Sequence, residues 1–376
     1  MIKILYILTD TNVGGAGLLT VSLIRRLDST AFDVSVAVPR GSALVPLLRD
    51  ARADAEIIET LTGRDRSFEL AAIRELKRII KRVKPDIVHT NASLSGRIAA
   101  VSAGVPSVIY TRHCAFANKE YMMSYPAKII NGFISRRYST RVIATADVAR
   151  EKLIEIGVPD DMITVIVNGA EQFPTLDSRE CAVERDRLGI AGDDFVVYTA
   201  ARLEEYKGYR YIIGAARILK EKCPCVRFVC IGDGSMRAEL ESLSVDLDNI
   251  MFLGFCGEPY RICNIADVCL SCSYGAETTS LAISEGMSLG KPQIVTRSGG
   301  YSQLIDDGVD GICIEPQSAE AVAESVIQLY NNEKLRRQLG NAAKEKYLSA
   351  LSADRMACDV TEIYLEEYKK HSGVSI

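Results

Sequence analysis

Two carboxylates lie eight positions apart in the segment CSYGAETTSLAISEGMSLGKP, residues 272–292. A pair of carboxylates can cleave a glycosidic bond, one acting as the acid and the other as a base or nucleophile. The pattern, however, predicts a helix from about Thr279, which puts Glu277 in the preceding loop and Glu285 about two turns further on. The two carboxylates could therefore also hold a ligand or belong to a charged helix face.

Two cations in the segment TAARLEEYKGYRYIIGA, residues 199–215, could bind a diphosphate. Arg202 and Lys207 lie in the loop that leaves a predicted strand, and Gly208 precedes the next predicted helix. Arginine offers a planar fork of N–H donors and lysine a point charge, which suits phosphate oxygens. A solvated basic loop has the same composition, but a cation pair stands out here because the second half of the chain is acidic.

Glycine-rich turns follow several predicted strands. In TDTNVGGAG, residues 9–17, Gly14, Gly15 and Gly17 allow a tight turn and a close approach to an anion at a helix amino terminus. The spacing is not the dinucleotide GxGxxG pattern, and a turn without a ligand could use the same glycines. Similar turns are IGDGS, LGFCGE and RSGGY at 231–235, 253–258 and 297–301.

Two patterns resemble metal sites, and their contexts argue against both. Cys269 and Cys272 form the only CxxC, but ADVCLSC is typical of a buried strand, whereas structural zinc sites draw such pairs from turns. Asp246-Leu247-Asp248 spells DxD in polar sequence between a helix and a strand, which favours an ordinary loop. The sequence therefore predicts no metal site.

Composition indicates a folded cytoplasmic protein of two domains. The 376 residues exceed what one core usually spans, and no apolar run approaches the length of a membrane-spanning helix. The short apolar amino terminus predicts an unsecreted chain, and eleven scattered cysteines predict reduced thiols. Residues 1–172 carry 23 Lys and Arg against 18 Asp and Glu, while 173–376 carry 22 against 31. The net charge of −4 argues against nucleic-acid binding.

The elements that must position these residues alternate between strand and helix. Apolar runs rich in Ile and Val are followed by segments of helical period, with a break at about 171–192. The runs are KILYIL, DVSVAV, AEII, DIVH, SVIY, RVIAT and TVIV, then DFVVYTA, RFVCIG, IMFLG, VCLSC, QIVT and GICIE. This rhythm predicts an α/β chain with two parallel sheets, in domains 1–172 and 173–355. Ligands of such domains bind at the carboxyl ends of the strands.

The chain resembles the retaining family-four glycosyltransferases (glycosyl transferases group 1) of GT-B fold. The resemblance rests on EGMSLGKPQIVTRSGGYSQLIDDGVDGICIEP, and on VGGAG, KPDIVHTN, VNGAE, ARLEEYKG and IGDGS, which follow the family's order along nearly the whole chain. It implies two Rossmann-like domains with parallel sheets that face each other across a cleft, the first on the acceptor side and the second binding the nucleotide-sugar. It also implies a C-terminal helix, about 356–376, that crosses back to the N-terminal domain.

The resemblance implies a role for each candidate residue. Glu285 would hydrogen-bond the ribose of a nucleotide-sugar, Glu277 a hydroxyl of the transferred sugar, and the two cations the diphosphate. The histidine of YTRHCAF matches one beside the reacting sugar. The implied catalytic residues are His113, Arg202, Lys207 and Glu277. The implied donor-binding residues are Gly14, Gly15, Arg202, Lys207, Gly232, Asp233, Phe255, Glu277, Thr278, Thr279, Ser280, Leu281 and Glu285.

Three positions depart from the family's pattern. Thr278-Thr279-Ser280 stands where Gly-Phe-Gly is usual, Gln303 where a glutamate is common, and Gly17 where an acidic residue is frequent. The preference for a donor sugar therefore stays open, with a UDP-sugar favoured.

The implied reaction moves a hexose-type sugar from the nucleoside diphosphate to a hydroxyl of a glycan, lipid-linked or small-molecule acceptor, as in polysaccharide biosynthesis. It would retain the anomeric configuration by front-side attack, without a metal, a cofactor or an enzyme nucleophile. A nucleotide-sugar epimerase of the same architecture is the alternative, although three histidines limit its acid/base chemistry. A non-catalytic nucleotide-sugar binder is a further one.

The basic first half could face an anionic membrane. In RELKRIIKRVK, residues 74–84, arginines form one ridge opposite an apolar stripe of Ile73, Leu76, Ile80 and Val83. The segment 119–141 adds aromatic residues beside Arg136, Arg137 and Arg141. Ordinary amphipathic helices packed on a sheet would show the same pattern. The protein is thus expected in the cytoplasm, where it could be peripheral on the inner face of the membrane.

Overall fold

The computed structural model describes residues 1–372 except 10, 53, 61–67, 92, 114, 116–117 and 276. The chain divides into two compact units. Unit 1 comprises Met1–Gly169 and Ala353–Ile376, and unit 2 comprises Ala170–Ser352. The domain boundaries expected from the sequence lie three residues further along the chain at both junctions.

Unit 1 contains a seven-stranded parallel sheet with helices packed against it. Strands β1 to β7 are Ile2–Ile7, Phe32–Pro39, Glu56–Thr60, Ile87–Thr90, Ser107–Arg112, Arg141–Ala144 and Ile163–Val165. Helices α1 to α7 are Gly15–Arg26, Val45–Ala51, Leu70–Val83, Leu94–Ser102, Glu120–Met123, Tyr125–Tyr138 and Asp147–Glu155. The strand order is β3-β2-β1-β4-β5-β6-β7.

Unit 2 repeats this architecture with a six-stranded parallel sheet. Strands β8 to β13 are Phe195–Ala200, Val226–Ile231, Ile250–Phe252, Val268–Ser271, Gln293–Thr296 and Gly311–Ile314. Helices α8 to α15 are Ser178–Arg187, Tyr209–Lys222, Arg237–Leu243, Pro259–Ile265, Leu281–Ser288, Tyr301–Leu304, Ala319–Asn331 and Glu333–Lys346. The strand order is β10-β9-β8-β11-β12-β13. The prediction of two parallel, Rossmann-like sheets is confirmed.

The order of strands places one topological switch point in each unit. In unit 1 the order reverses between β1 and β4, and in unit 2 between β8 and β11. Ligands of doubly wound sheets bind outside the carboxyl ends of the strands at such a point. The loops after β8 and β11 carry Lys207 and Glu277, so the fold brings two predicted site residues to one place.

Helix α3 shows which interpretation of its amphipathic pattern is correct. Leu76 and Ile80 are buried in a core that includes Leu5 and Val88 of the sheet. The other two members of the stripe, Ile73 and Val83, are partly buried against the same core. The apolar face of α3 is therefore covered by unit 1 itself and offers nothing to a membrane.

The last helix, α16 (Ala353–Ser372), lies in unit 1 and begins three residues before the helix at about 356–376 that the resemblance implies. The Tyr364 hydroxyl lies 2.6 Å from the Tyr6 hydroxyl and 2.6 Å from His89 Nδ1. His89 Nε2 lies 2.8 Å from Thr111 Oγ1. Burial, with a smaller contribution from His113, lowers the pKa of His89 to about 3. This buried network of neutral groups ties α16 to β1, β4 and β5.

We expect Tyr364→Phe to lower the free energy of unfolding by about 2 kcal/mol, because two buried polar groups lose their partner. Tyr368→Phe, one turn further along the same helix at a partly exposed position, is the matched control and should cost less than about 0.5 kcal/mol. Urea unfolding of the variants measures both values. Equal costs would contradict the anchoring role of the network.

Candidate donor site

Lys207 and Glu277 form an ion pair at the switch point of unit 2. Lys207 Nζ lies 2.5 Å from Glu277 Oε1, and the two side chains are only 13% and 14% exposed. Lys207 ends a short 3₁₀ turn after β8, and Glu277 lies in the loop after β11. A buried charge is tolerated only when it is paired, so each residue holds the other in place.

A glycine contact holds these two loops together. Gly208 has φ of +76°, and a Cβ built there would lie 2.2 Å from the Cys272 carbonyl oxygen. The Tyr274 amide donates to the Tyr206 carbonyl at 2.9 Å. Because both the conformation and the space exclude a side chain, Gly208 is required for the position of Lys207.

The RSGGY turn after β12 supports the backbone of Glu277. The Gly300 amide donates to the Glu277 carbonyl at 2.9 Å. Gly299 has φ of +56°, and a Cβ there would lie 2.3 Å from the same carbonyl oxygen. This turn is expected to line the ligand side of the sheet. It supports the Glu277 carboxylate indirectly, by a contact with the main chain of Glu277.

Tyr206 contacts both predicted cations. This role of Tyr206 was not predicted from the sequence. Arg202 donates to the Tyr206 hydroxyl at 2.6 Å, and the Lys207 ammonium lies 5.2 Å from the centre of the same ring. The ring packs on Gly275, where a Cβ would approach it to 2.9 Å. Arg202 itself is exposed at the edge of the site. The sequence signal for this role of Tyr206 is an aromatic residue that stands between the two cations.

The turns after β9 and β10 lie beside the β8 loop. Gly232 has φ of +127°, and a Cβ there would lie 1.9 Å from the Ala201 carbonyl oxygen. The Gly232 amide donates to the Gly254 carbonyl at 2.8 Å. The exposed carboxylate of Asp233 lies 3.4 Å from the Arg237 guanidinium. Phe255 is 85% exposed. The predicted donor-binding residues of unit 2 therefore share one edge of its sheet.

Helix α12 begins at Leu281, two residues later than the pattern predicts. Ser280 is its N-cap, and Thr278 is buried in the preceding loop. Small hydroxylated residues favour caps and turns over a helix interior, which explains the later start. The first N–H groups of a helix have no acceptor within it and attract anions, so the amides here that suit a phosphate are those at the start of α12.

Glu285 lies in α12 in a poorly solvated position. Burial raises the pKa of its carboxyl from 4.5 to about 7, although part of the residue is exposed. A Cβ at the neighbouring Gly286 would lie 2.7 Å from Cys269 Sγ, so the helix packs closely on β11. Close packing around Glu285 is what the neighbouring small residues predict.

Unit 1 carries the remaining predicted residues. Gly14 is the N-cap of α1, and a Cβ at Gly14 or Gly15 would meet open space. Gly17 is buried, and a Cβ there would lie 2.8 Å from the Leu44 side chain, which explains why no acidic residue stands at this position. His113 follows β5, and burial lowers its pKa to about 4.

A small cavity with a mostly apolar lining adjoins His113. It encloses about 30 Å³, enough to hold a water molecule, and is lined by groups from β1, β4, β5, α1 and α16. Its polar lining includes Tyr6, Thr20, His89, Asn91, His113 and Asn168.

The two patterns that resemble metal sites have other partners. Asp246 lies 2.9 Å from an Arg217 nitrogen, and Asp248 lies 3.2 Å from the Lys220 ammonium. Cys269 is a buried strand residue with its sulfur 3.8 Å from that of Cys263. Within the part of the chain that the structure describes, no three His, Cys, Asp or Glu residues are grouped as metal ligands.

The raised pKa of Glu285 makes stability depend on pH. The folded state binds the proton more tightly than the unfolded state, so wild type loses stability as pH rises from about 4.5 to about 7, by at most about 3 kcal/mol. We therefore expect Glu285→Gln to match wild type near pH 4.5 and to exceed it at pH 8. Thermal unfolding at both pH values, with the exposed Glu324→Gln as control, measures this. A difference from wild type that is independent of pH would contradict it.

Comparison with known proteins identifies the family. The Glycosyltransferase Family 4 model matches residues 13–171, and the Glycosyl transferases group 1 model matches residues 182–346. The putative glycosyltransferase EpsD of Bacillus subtilis is 29% identical over 323 residues, covering 81% of this chain and 84% of the relative. The UDP-Gal:alpha-D-GlcNAc-diphosphoundecaprenol alpha-1,3-galactosyltransferase of Escherichia coli is 26% identical over 382 residues, 97% of each chain.

Solved structures agree with the fold. Anabaena Alr3699/HepE in complex with UDP superposes with a TM-score of 0.83 at 20% identity, covering 97% of this chain and 100% of that one. A glycosyltransferase from Rickettsia africae gives 0.86 at 21% identity, covering 98% and 99%. The chain therefore belongs to the GT-B glycosyltransferases that combine a family 4 domain with a group 1 domain, enzymes that use a nucleotide-sugar donor.

Proposed function

We propose that this glycosyltransferase moves a hexose from a UDP-sugar to a hydroxyl of a glycan, lipid-linked or small-molecule acceptor, with retention of configuration and without a metal. The ion pair of Lys207 and Glu277 carries the proposal. The ammonium and the carboxylate lie 2.5 Å apart at the switch point of unit 2, where they would bind the diphosphate and a sugar hydroxyl.

The leaving diphosphate accumulates negative charge as the glycosidic bond breaks. Lys207, Arg202 and the first N–H groups of α12 provide positive potential for it, which is the largest kind of contribution to such reactions. When a donor binds, its phosphate oxygens would take the ammonium while Glu277 accepts a hydroxyl of the sugar. Asp246 and Asp248 of the DxD pattern are paired with Arg217 and Lys220. This pairing fits a reaction in which the pattern does not bind a metal.

The nucleoside would lie between Glu285 and the turns after β9 and β10. Ribose hydroxyls donate hydrogen bonds, and a carboxylate accepts two of them. The exposed ring of Phe255 offers a face for a base to stack on, beside Gly232 and Asp233. UDP is favoured because the Anabaena neighbour was solved with UDP and the Escherichia coli relative is named for UDP-Gal.

In unit 1, we propose that His113 and the turn at Gly14 and Gly15 bind the substrate. A neutral imidazole exchanges hydrogen bonds with sugar hydroxyls without adding charge, and the low pKa of His113 keeps it neutral at pH 7. Thr278-Thr279-Ser280, in the loop that follows Glu277, would decide the choice of sugar, with Gln303 as a second contributor.

Other reaction classes explain fewer of the observations. A glycosidase has no use for the cation pair or for the amides at the start of α12. An epimerase would change the donor without an acceptor, and the relatives named above are not epimerases. A binding protein without activity would show no turnover.

The donor is tested by thermal shift with UDP-, GDP- and ADP-sugars. A ligand at about 100 times its Kd adds about 2.7 kcal/mol to the stability of the folded state, so a UDP-sugar should raise the Tm of wild type by several degrees. Glu285→Ala should lose most of this shift, whereas Glu324→Ala, an exposed position on α14, should keep it. If no nucleotide-sugar stabilises wild type, the proposal is wrong.

Retention is tested with the same donor by proton NMR. An α-linked UDP-hexose should give an α-linked product, or the α-anomer as the first free sugar when water is the acceptor. A β-product would exclude retention, and an altered UDP-sugar without transfer would identify an epimerase.

The apolar stripe of α6, defined as Tyr125, Ile129, Ile130 and Phe133, supports a membrane-bound acceptor. These side chains are 79%, 56%, 58% and 67% exposed. The helix packs by its other side, because a Cβ at Gly132 would lie 2.8 Å from the Gly157 carbonyl oxygen. An exposed apolar stripe of this size is typical of an interaction surface.

Charge favours an anionic lipid surface as the occupant of this stripe. Lys119, Lys128 and Arg137 flank it, and Arg136 is paired with Asp161 at 3.0 Å. Along the chain, α5 and α6 lie between β5, which is directly followed by His113, and β6. The Escherichia coli relative is named for a diphosphoundecaprenol acceptor. Within the described residues, every helix is too short or too polar to cross a bilayer.

Membrane binding is tested by flotation with anionic and neutral liposomes. Wild type should float with anionic vesicles, and Ile129→Ser with Phe133→Ser should reduce the floating fraction at least about fivefold. Val245→Ser, at an 86% exposed position in unit 2, is the matched control. Equal flotation with neutral lipid, or no flotation, would contradict binding of the stripe to an anionic lipid surface. So would a dimer on gel filtration that the two substitutions convert to a monomer.

A further inference from the structure

A chain of hydrogen bonds leads from helix α1 to His113. The Thr20 hydroxyl donates to the Ala16 carbonyl at 3.0 Å, and Asn91 Nδ2 donates to Thr20 Oγ1 at 3.1 Å. Asn91 Oδ1 lies 3.3 Å from His113 Nε2. The chain crosses the switch point of unit 1, since Thr20 follows β1 and Asn91 follows β4.

The direction of each hydrogen bond in this chain is determined by its first member. A backbone carbonyl only accepts, so the single hydroxyl hydrogen of Thr20 points to Ala16. The Thr20 oxygen must then accept from the amide nitrogen of Asn91, which turns the amide oxygen toward His113. That oxygen also only accepts, so Nε2 of His113 is the donor.

We infer that Asn91 is a positioning residue that holds His113 in the tautomer with its proton on Nε2. A neutral imidazole carries one N–H, so Nδ1 then carries the lone pair. Burial, which lowers the pKa of His113 to about 4, keeps the ring neutral. The sequence held the signal in KPDIVHTN, but the partners of Asn91 lie 71 and 22 positions away.

This inference rests on the proposed function of His113 and makes it more specific. In this tautomer Nε2 of His113 donates to Asn91, and Nδ1 carries the lone pair that can accept a hydrogen bond. Nδ1, which is buried, would then be the ring atom that accepts a hydrogen bond from a sugar hydroxyl. The same hydrogen bonds connect His113 to the second residue of α1, directly after the turn at Gly14 and Gly15.

The tautomer is measured by ¹⁵N NMR of the histidine rings. The chain has three histidines, and His89→Gln and His371→Gln spectra assign the signals of His113. Wild type should show the proton on Nε2. Asn91→Leu and Thr20→Val should each give a mixture of tautomers, because the first removes the acceptor and the second frees the amide to turn over. Thr20→Ser keeps the hydroxyl and should restore the wild-type pattern.

Activity provides the second readout. Asn91→Leu should lower kcat about 10- to 100-fold while KM for the donor changes less than about twofold, because orientation rather than donor affinity is lost. Thr20→Val should also lower kcat, whereas Thr20→Ser should leave kcat near the wild-type value. A proton on Nδ1 in wild type, or wild-type tautomer and kcat in Asn91→Leu, would overturn the inference. Absence of transfer by wild type would refute the proposed function instead and would leave the NMR result standing.

Discussion

The buried ion pair between Lys207 and Glu277 is the interaction on which the site depends. Two charges are largely removed from water at the switch point of unit 2, where each stabilises the other. The loops that carry them meet where Gly208 leaves no room for a side chain, and Gly299 does the same behind Glu277. In the proposed function, the diphosphate of a donor would replace Glu277 as the partner of Lys207, and a sugar hydroxyl would replace Lys207 as the partner of Glu277.

The sequence predicted most of the fold, because apolar runs and helical periods report burial directly. The runs that form β1 to β13 were all recognisable. The ion pair was not predicted, because it depends on the order of strands that brings the loops after β8 and β11 together. The start of α12 was misplaced by two residues, because Thr278 and Thr279 can join a helix or a loop and burial of Thr278 decides for the loop. Asn91 was missed because its partners, Thr20 and His113, are distant in sequence, and Tyr206 was missed although it stands between the two predicted cations.

Helices α3 and α6 show a second limit of sequence patterns. Both carry apolar and basic residues at helical spacing. This pattern predicts a helix with an apolar and a basic face, but it does not tell which face packs against the rest of the unit. In α3 the apolar face joins the core through Leu76 and Ile80. In α6 the backbone approaches Gly157 at Gly132, and the apolar stripe is left exposed. A contact between glycines, invisible in a hydrophobic pattern, decides the difference.

The affinities of Lys207→Ala and Glu277→Ala for UDP and for the UDP-sugar, measured by calorimetry, test the central claim most directly. If Lys207 holds the diphosphate and Glu277 the sugar, Lys207→Ala weakens both ligands at least about tenfold. Glu277→Ala then weakens the UDP-sugar by a similar factor but leaves UDP unchanged or tighter, because the ammonium loses its competing carboxylate. An equal loss of UDP and UDP-sugar affinity in Glu277→Ala would contradict this division of roles.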